Sequence, residues 1–505
     1  MNRNLRSRAV LVALVAALVS AAACAGDDDG SGGATATSPV ASGPVTSTGS
    51  SAGPSASVPA ATASAGSIVP ASTAPSSPGE CPTSALPDDG PPVEITVWHS
   101  MAATTGVVIE ELIVDYNASQ SRVHVTPVFQ GGYADTFSKY ANTLRTGGDL
   151  PTLVQLSEIY MQQMVDSRST VAVDDCIVAS GYDLSDFPGD LLDQYRLDGR
   201  LVTMPFQLAN LVLFYDGNDF TAAGLDPADP PTTLDELVTT SRALVDAGVV
   251  TSGIALEIDA WSFEQWVATA GETLVDRDNG RSGRADHARL DTQAVTDLLT
   301  TLQDMHDDGL LYVAGRGGEQ AGLARFLAVA QGQAAMTIAS SATLGEIYEQ
   351  IGQVPDVEIR VGPFPGSGGR TTVGGGSIYL TNATDDAERA AAWDLLAWLN
   401  EPEQQVRWSI GTGYVPTRSS AVDDPALLQV WSERPGFRVA WDQLATDAAV
   451  PGGGGPVIGD YEGVRDAIED GLEALFDGVD VATVQADMQS AADEAIADYN
   501  RRIAP

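Results

Sequence analysis

The chain has 505 residues, 44% of them hydrophobic and 19% charged, and its acids outnumber its bases 68 to 26 for a formal net charge of −42. Lys139 is the sole lysine. That balance excludes nucleic acid as a partner, because binding it needs clustered cations to displace counterions. The apolar content excludes disorder throughout, and the length suits two lobes with additions better than a single core.

Residues 1–23 read as an export signal. Arg3, Arg6 and Arg8 precede an apolar run from Ala9 to Ala23 that no acid interrupts, and the run is shorter than the roughly 18 residues of a spanning helix. It ends Ala21-Ala22-Ala23-Cys24. Small residues directly before a cysteine resemble a bacterial lipobox, in which cleavage leaves Cys24 as the lipidated first residue, although Ala21 stands where leucine is usual. The alternative is a plain secreted chain whose Cys24 is discarded with the leader. Residues 24–90 are mostly Gly, Ser, Thr, Ala and Pro, with no aromatic residue and no Lys or Arg. Such a segment cannot bury enough apolar surface to offset its ordering entropy and reads as a tether, spanning about 45 Å as flexible coil. A tether gives a lipid anchor a purpose. Export also allows Cys81 and Cys176 to pair; the alternative is two free thiols.

The folded body begins near residue 91. Val93–Trp98 alternates and is β-branched, which predicts a strand. Ile109, Leu112, Ile113 and Tyr116 recur at helical spacing, and Val123, Val125 and Val128 predict a second strand. The rhythm continues with helices near Thr136–Thr146, Thr233–Ala247 and Thr292–Asp308. An α/β fold with parallel strands follows. A helix over Thr384–Asn400 is predicted from a Thr cap, Asp385 and Asp386 in its first turn, and Pro402 just beyond its end.

Familiar reactive motifs are missing. There is no HExxH, P-loop, zinc-spaced cysteine pair or GxSxG elbow, and His99, His124, His287 and His306 are scattered without ligand spacing. Asp276–Gly280 has a faint likeness to a calcium loop but lacks the remaining ligand positions, so it reads as a polar turn. Gly374–Gly376 and Gly452–Gly455 read as loops, with anion-binding backbone nests as the alternative. No metal, no cofactor and no enzymatic activity are expected.

From Ile95-Thr96-Val97-Trp98-His99-Ser100-Met101 onward the chain resembles the solute-binding proteins of bacterial ABC importers, in the group that takes glycerol-3-phosphate and glycerophosphodiesters. The likeness runs through Asn117–Ser121, Gln130–Tyr133, Pro205-Phe206, Leu213–Tyr215, Ala223–Pro227, Pro230–Thr232, Ala335–Ser341 and Gly413–Pro416, in family order over residues 91–505. It implies two α/β lobes, 91–207 with 371–417 and 208–370 with 418–505. Hinge crossovers would lie near Phe206, Arg370 and Thr417, with a ligand cleft between the lobes. It implies a lipid-anchored, monomeric receptor on the outer face of the cytoplasmic membrane, partnered by permease subunits.

The same resemblance implies ligand positions. Tyr133 and Tyr414 would be cleft tyrosines, Glu158 an acceptor for glycerol hydroxyls, Ser340 a contact at the polar end, Gly375 a place of close backbone approach, Trp261 a cleft wall and Arg465 the phosphate-binding arginine. Ionised acceptors and planar guanidinium forks suit those tasks. Local readings also exist: Glu158 as a helix N-terminal carboxylate, and Arg465 as a helix-face residue pairing with Asp466 or Glu469. Ala209 stands where the group has a serine, leaving Asn210 as the candidate replacement, and Ile258 stands where it has a tryptophan, which widens the cleft. Both departures, together with the net charge, suit a zwitterion such as glycerophosphocholine or a neutral sugar better than glycerol-3-phosphate itself; the expected ligand is a glycerophosphodiester, glycerol-3-phosphate or a related polyol. The rival readings are a sugar or oligosaccharide receptor, a secreted hydrolase of glycosides or phosphodiesters, and a surface adhesin.

Overall fold

A computed structural model describes residues 81–188, 191–352, 354–367, 371–445 and 454–504. The expected leader, Cys24, the tether as far as residue 80 and the Arg370 crossover lie outside these residues.

In chain order the first body holds β1 (Val93–His99), α1 (Ala103–Ser119), β2 (Val123–Phe129), α2 (Tyr133–Thr146), β3 (Leu153–Ser157), α3 (Met161–Asp166), β4 (Thr170–Val171), α4 (Val173–Ser180), the small hairpin β5 (Arg196–Leu197) and β6 (Arg200–Leu201), and β7 (Met204–Ala209). The second body holds β8 (Leu211–Asp216), α5 (Gly217–Ala223), α6 (Leu234–Asp246), β9 (Ser252–Ile258), α7 (Ala260–Thr269), α8 (Gln293–Asp307), β10 (Leu311–Arg316), α9 (Glu319–Ala330), β11 (Ala334–Ser340), α10 (Leu344–Gln350) and β12 (Ile359–Pro363). The chain then returns to the first sheet with β13 (Gly374–Thr381), α11 (Asp386–Leu399) and α12 (Pro402–Thr412), and closes with α13 (Pro425–Glu433), α14 (Gly436–Leu444), α15 (Tyr461–Phe476) and α16 (Val481–Ile503).

One sheet runs β2-β1-β3-β13-β4, with β7 also on β13; the other runs β10-β9-β11-β8-β12. Both are mixed rather than parallel. β1 is parallel to β2 and β3, and β9 to β10 and β11, as helix crossovers require. The strands that enter from the other sheet, β8 and β13, pair antiparallel with every neighbour, because no βαβ crossover sets their direction. The first change of sheet falls at Asn210, a few residues past the expected point near Phe206, since Pro205 through Ala209 still pair with β13. The return falls between Pro363 and Gly374.

Local chemistry fixes the element ends. Thr233 caps α6, its hydroxyl accepting from the Glu236 amide at 3.2 Å while Glu236 accepts from the Thr233 amide. The cap of α11 is Asp385, not Thr384: its carboxylate accepts from the Glu388 amide at 2.8 Å, and the Thr384 hydroxyl instead donates to the Thr381 carbonyl. Cys81 is disulfide-bonded to Cys176 of α4, with Cα atoms 4.8 Å apart. Cys81 and Leu86 are buried, and the single turn Thr83–Ala85 between them packs on α11 and α4. Cys81–Leu86, expected within the tether, therefore belong to the folded body, because apolar side chains there find a core to enter. The Asp276 turn is held internally, its carboxylate accepting from the Asp286 and His287 amides. Among the described residues no group of His, Cys, Asp or Glu has the arrangement of a metal site.

Two large apolar clusters cover the faces of the sheets, and the half-buried Tyr133 and Trp261 each pack against both.

Candidate functional site

The site grows from a three-glycine stretch of β13. Gly374, Gly375 and Gly376 pair with Ala209, Leu208 and Gln207 of β7, and Gly376 also faces Ser157 at the end of β3. The stretch is strand rather than loop, since hydrogen-bonded neighbours flank it. A side chain at each position would meet a different obstacle: the Trp261 indole at Gly374, the Gln207 main-chain carbonyl at Gly375, and the Gln207 side chain with the Tyr133 hydroxyl at Gly376. Gly375 has φ +113°, which L side chains rarely adopt. The glycines thus make room for an indole from one lobe and a phenol from the other.

Tyr133 begins α2, and its buried hydroxyl interacts with the Tyr414 hydroxyl and with the Glu158 carboxylate. Burial, reinforced by Tyr414 and Glu158, holds its phenol well above the ordinary value. Burial likewise raises Tyr414, to about 12. Tyr414 stacks on Trp408 at 5.3 Å. Tyr195, Tyr379 and Tyr461 are buried in the same neighbourhood, and burial followed by nearby carboxylates or phenols raises Tyr195 and Tyr461 as well. At neutral pH these phenols are uncharged hydrogen-bonding groups. Gln155 accepts from the Ser100 amide at 2.7 Å and donates to the Gln207 side chain, so its amide is fixed. The Gln207 nitrogen is then left buried without a hydrogen-bond partner.

Glu158 follows β3 in a single turn and accepts from the Ser157 hydroxyl at 2.8 Å. Burial raises its carboxyl above the ordinary value, against the pull of Arg465 and Ser157. Arg465 comes from α15 of the second body. Two of its nitrogens donate to the two oxygens of Glu264 in α7, each at 2.8 Å, and its guanidinium lies 4.9 Å over the Tyr461 ring. Tyr461 also donates to Glu264, at 3.1 Å. Burial would lower Arg465, but the Glu264 pair outweighs that and holds it well above the ordinary value. A half-buried carboxylate on α15, Glu462, accepts from Tyr160 at 2.5 Å.

The structure therefore brings Tyr133, Glu158, Trp261, Gly375, Tyr414 and Arg465 into one region. Asn210 and Ser340 lie next to one another at the crossover that follows Ala209. Asn210 bridges the two sheets, its side chain donating to the Ala440 carbonyl at 2.9 Å and its carbonyl accepting from Ser341. The Ser340 hydroxyl accepts from the Ala342 amide at 3.2 Å, capping the turn after β11. Both are engaged in holding the crossover. Arg465 pairs with neither Asp466 nor Glu469. Sequence reasoning missed Glu264, Gln155, Gln207, Tyr195, Tyr379 and Tyr461; an acid or amide in a run of apolar residues was the available signal for the first three.

Phenols, amides and an indole from both bodies, with Glu158 and the Arg465–Glu264 pair beside them, make a lining of the kind that suits a small polar molecule. The sequence profile described as "Bacterial extracellular solute-binding protein" matches residues 111–438. The chain belongs to that family. Among its relatives, the sn-glycerol-3-phosphate-binding periplasmic protein UgpB of Pectobacterium atrosepticum is 26% identical over 397 residues, covering 76% of this chain and 87% of the relative. The UgpB of Salmonella typhimurium is 26% identical over 396 residues, covering 76% and 88%. Among solved structures, the cyclic alpha-maltosyl-1,6-maltose binding protein of Arthrobacter globiformis superposes with a TM-score of 0.66 at 25% identity, covering 81% of this chain and 100% of that one. UgpB of Mycobacterium tuberculosis in complex with glycerophosphocholine gives the same TM-score at 22% identity, covering 82% and 100%. The two-lobed fold of these extracellular solute-binding proteins is the fold of this chain.

Proposed function

We propose that the chain is the lipid-anchored receptor of an ABC importer, which captures a glycerophosphodiester or a related polyol and presents it unchanged to the permease. Cys24 carries the lipid, the tether lets the folded body stand off the membrane, and the lobes hinge at Asn210 and between Pro363 and Gly374. The observation that carries this reading is the meeting of Tyr133, Glu158 and Tyr414 from one lobe with Trp261, Tyr461 and Arg465 from the other. A ligand touching both sets stabilises the closed form by its differential affinity for it. The carboxylate of Glu158 accepts hydroxyl hydrogens, and the indole of Trp261 offers an apolar face to C–H groups or to a quaternary ammonium.

A sugar is the second reading, favoured by one observation: Arg465 is already paired with Glu264. Isothermal calorimetry with glycerophosphocholine, sn-glycerol-3-phosphate, maltose and trehalose decides between the two. Heat from glycerophosphocholine supports the first reading, and heat from the disaccharides alone replaces it with the second. The bound ligand, recovered and identified by mass spectrometry, is expected intact; recovery of hydrolysis products would refute a receptor role.

A further inference from the structure

Arg465 is the cation that would be expected to read a phosphate, yet the edge of its guanidinium formed by Nε and one terminal nitrogen is already paired. The fork of Nε and a terminal nitrogen is occupied by both oxygens of Glu264. This is the bidentate geometry that a phosphate would otherwise use. Glu264 is itself only 5% exposed and is further fixed by the Tyr461 hydroxyl. Its carboxylate is not a mobile surface acid that an incoming anion displaces cheaply, because moving it means breaking three hydrogen bonds in a desolvated place. The neighbouring cation on this side, Arg316, is taken up by Asp466, Glu469, Asp470 and Glu473 of α15. Glu158 and Glu264 act on Arg465 two to one, and the groups left open, the Tyr195 hydroxyl and the Gln207 nitrogen, are neutral.

We propose that Glu264 sets the charge class of the ligand. By locking Arg465 in a closed pair it withdraws the cation from ligand recognition and restricts the site to net-neutral, hydroxyl-rich molecules, uncharged or zwitterionic, excluding phosphomonoester dianions. This rests on the reading of this region as the solute site, and it makes Glu264 a specificity-determining residue rather than a structural one.

The test uses the mature chain, with inorganic phosphate, sn-glycerol-3-phosphate, glycerophosphocholine and trehalose as probes in calorimetry and thermal shift. Glu264→Gln keeps the shape and a hydrogen bond but frees the charge of Arg465. It is expected to bind inorganic phosphate and sn-glycerol-3-phosphate at least about tenfold more tightly than the parent. The gain should vanish in Glu264→Gln/Arg465→Gln. A parent that already binds sn-glycerol-3-phosphate better than the neutral probes, or a Glu264→Gln protein with no phosphate gain, overturns the proposal. Should Glu264→Gln alone fail to fold, the double variant decides, since a neutral amide pair replaces a buried ion pair without leaving a lone charge. A fall of more than about tenfold in sn-glycerol-3-phosphate affinity there, relative to the parent, would mean that Arg465 reads phosphate after all; no such fall supports the proposal. If the parent binds none of the probes, the receptor reading fails, while the phosphate gain in Glu264→Gln still decides the role of Glu264.

Discussion

Gly375→Ala and Gly374→Ala add the same methyl group one residue apart, and the structure predicts opposite consequences. At Gly375 two costs add. The backbone sits at φ +113°, a region that costs a non-glycine residue about 1–3 kcal/mol. The new methyl also runs into the Gln207 carbonyl. That carbonyl belongs to β7, which is tied to β13 by the Gly374↔Ala209 through Gly376↔Gln207 register, so it yields only if the ladder shifts, at about 1–3 kcal/mol more. The sum, roughly 2–6 kcal/mol, is a large share of the roughly 5–15 kcal/mol that holds a domain folded. At Gly374 the backbone is relaxed and the obstacle is the edge of the half-buried Trp261 indole, which can swing aside. Gly374→Ala should therefore keep most of its stability and lose ligand affinity, because the displaced indole enters the cleft. Urea denaturation followed by tryptophan fluorescence, with calorimetry on the same samples, measures both. Equal midpoints for the two variants, within about 0.5 kcal/mol of the parent, would refute the argument that β7 pins Gly375.

The Cys81–Cys176 bond closes a loop with a sequence separation of 95 residues. Its removal in Cys81→Ala/Cys176→Ala should cost up to about 4.7 kcal/mol by chain entropy, read as a lower urea midpoint that dithiothreitol reproduces in the parent. Glu158 gives a pH signature. Burial raises its carboxyl in the folded state above the ordinary 4.5, so the folded chain holds that proton to higher pH than the unfolded chain does. Its contribution to stability is full below about 4.5 and is lost as pH rises through the folded value. Glu158→Gln should then melt higher than the parent at pH 7, with the difference closing as the pH is lowered toward 4, while its affinity for the polyol ligand falls. Equal melting temperatures at pH 7 would contradict a desolvated Glu158.

How much of this was legible beforehand depended on the range of the interaction. Elements written in local patterns were readable: VEITVW in β1, the Ile109–Tyr116 stripe of α1, and the cap chemistry of α6 all lie within one turn or one strand. The error at α11 was of a single residue, because Thr384 and Asp385 are both good caps and only the geometry of the preceding Thr381 turn chooses between them. The three glycines of β13 were read as a loop for the opposite reason. Glycine weakens a strand in isolation, and what makes Gly374–Gly376 a strand is the presence of β7 and β3 on either side, residues more than 160 positions away. Arg465 shows the limit most sharply. On a helix the positions one and four further along were the obvious partners, but successive residues do not share a face, and Glu469 turns with Asp466, Asp470 and Glu473 toward Arg316. Arg465 instead reaches across to α7, where its partner lies 201 residues earlier. An arginine that looks available for phosphate in the sequence is therefore occupied in the fold. If Glu264 keeps that pair when the ligand arrives, the charge of the guest is set by a contact between residues 201 positions apart.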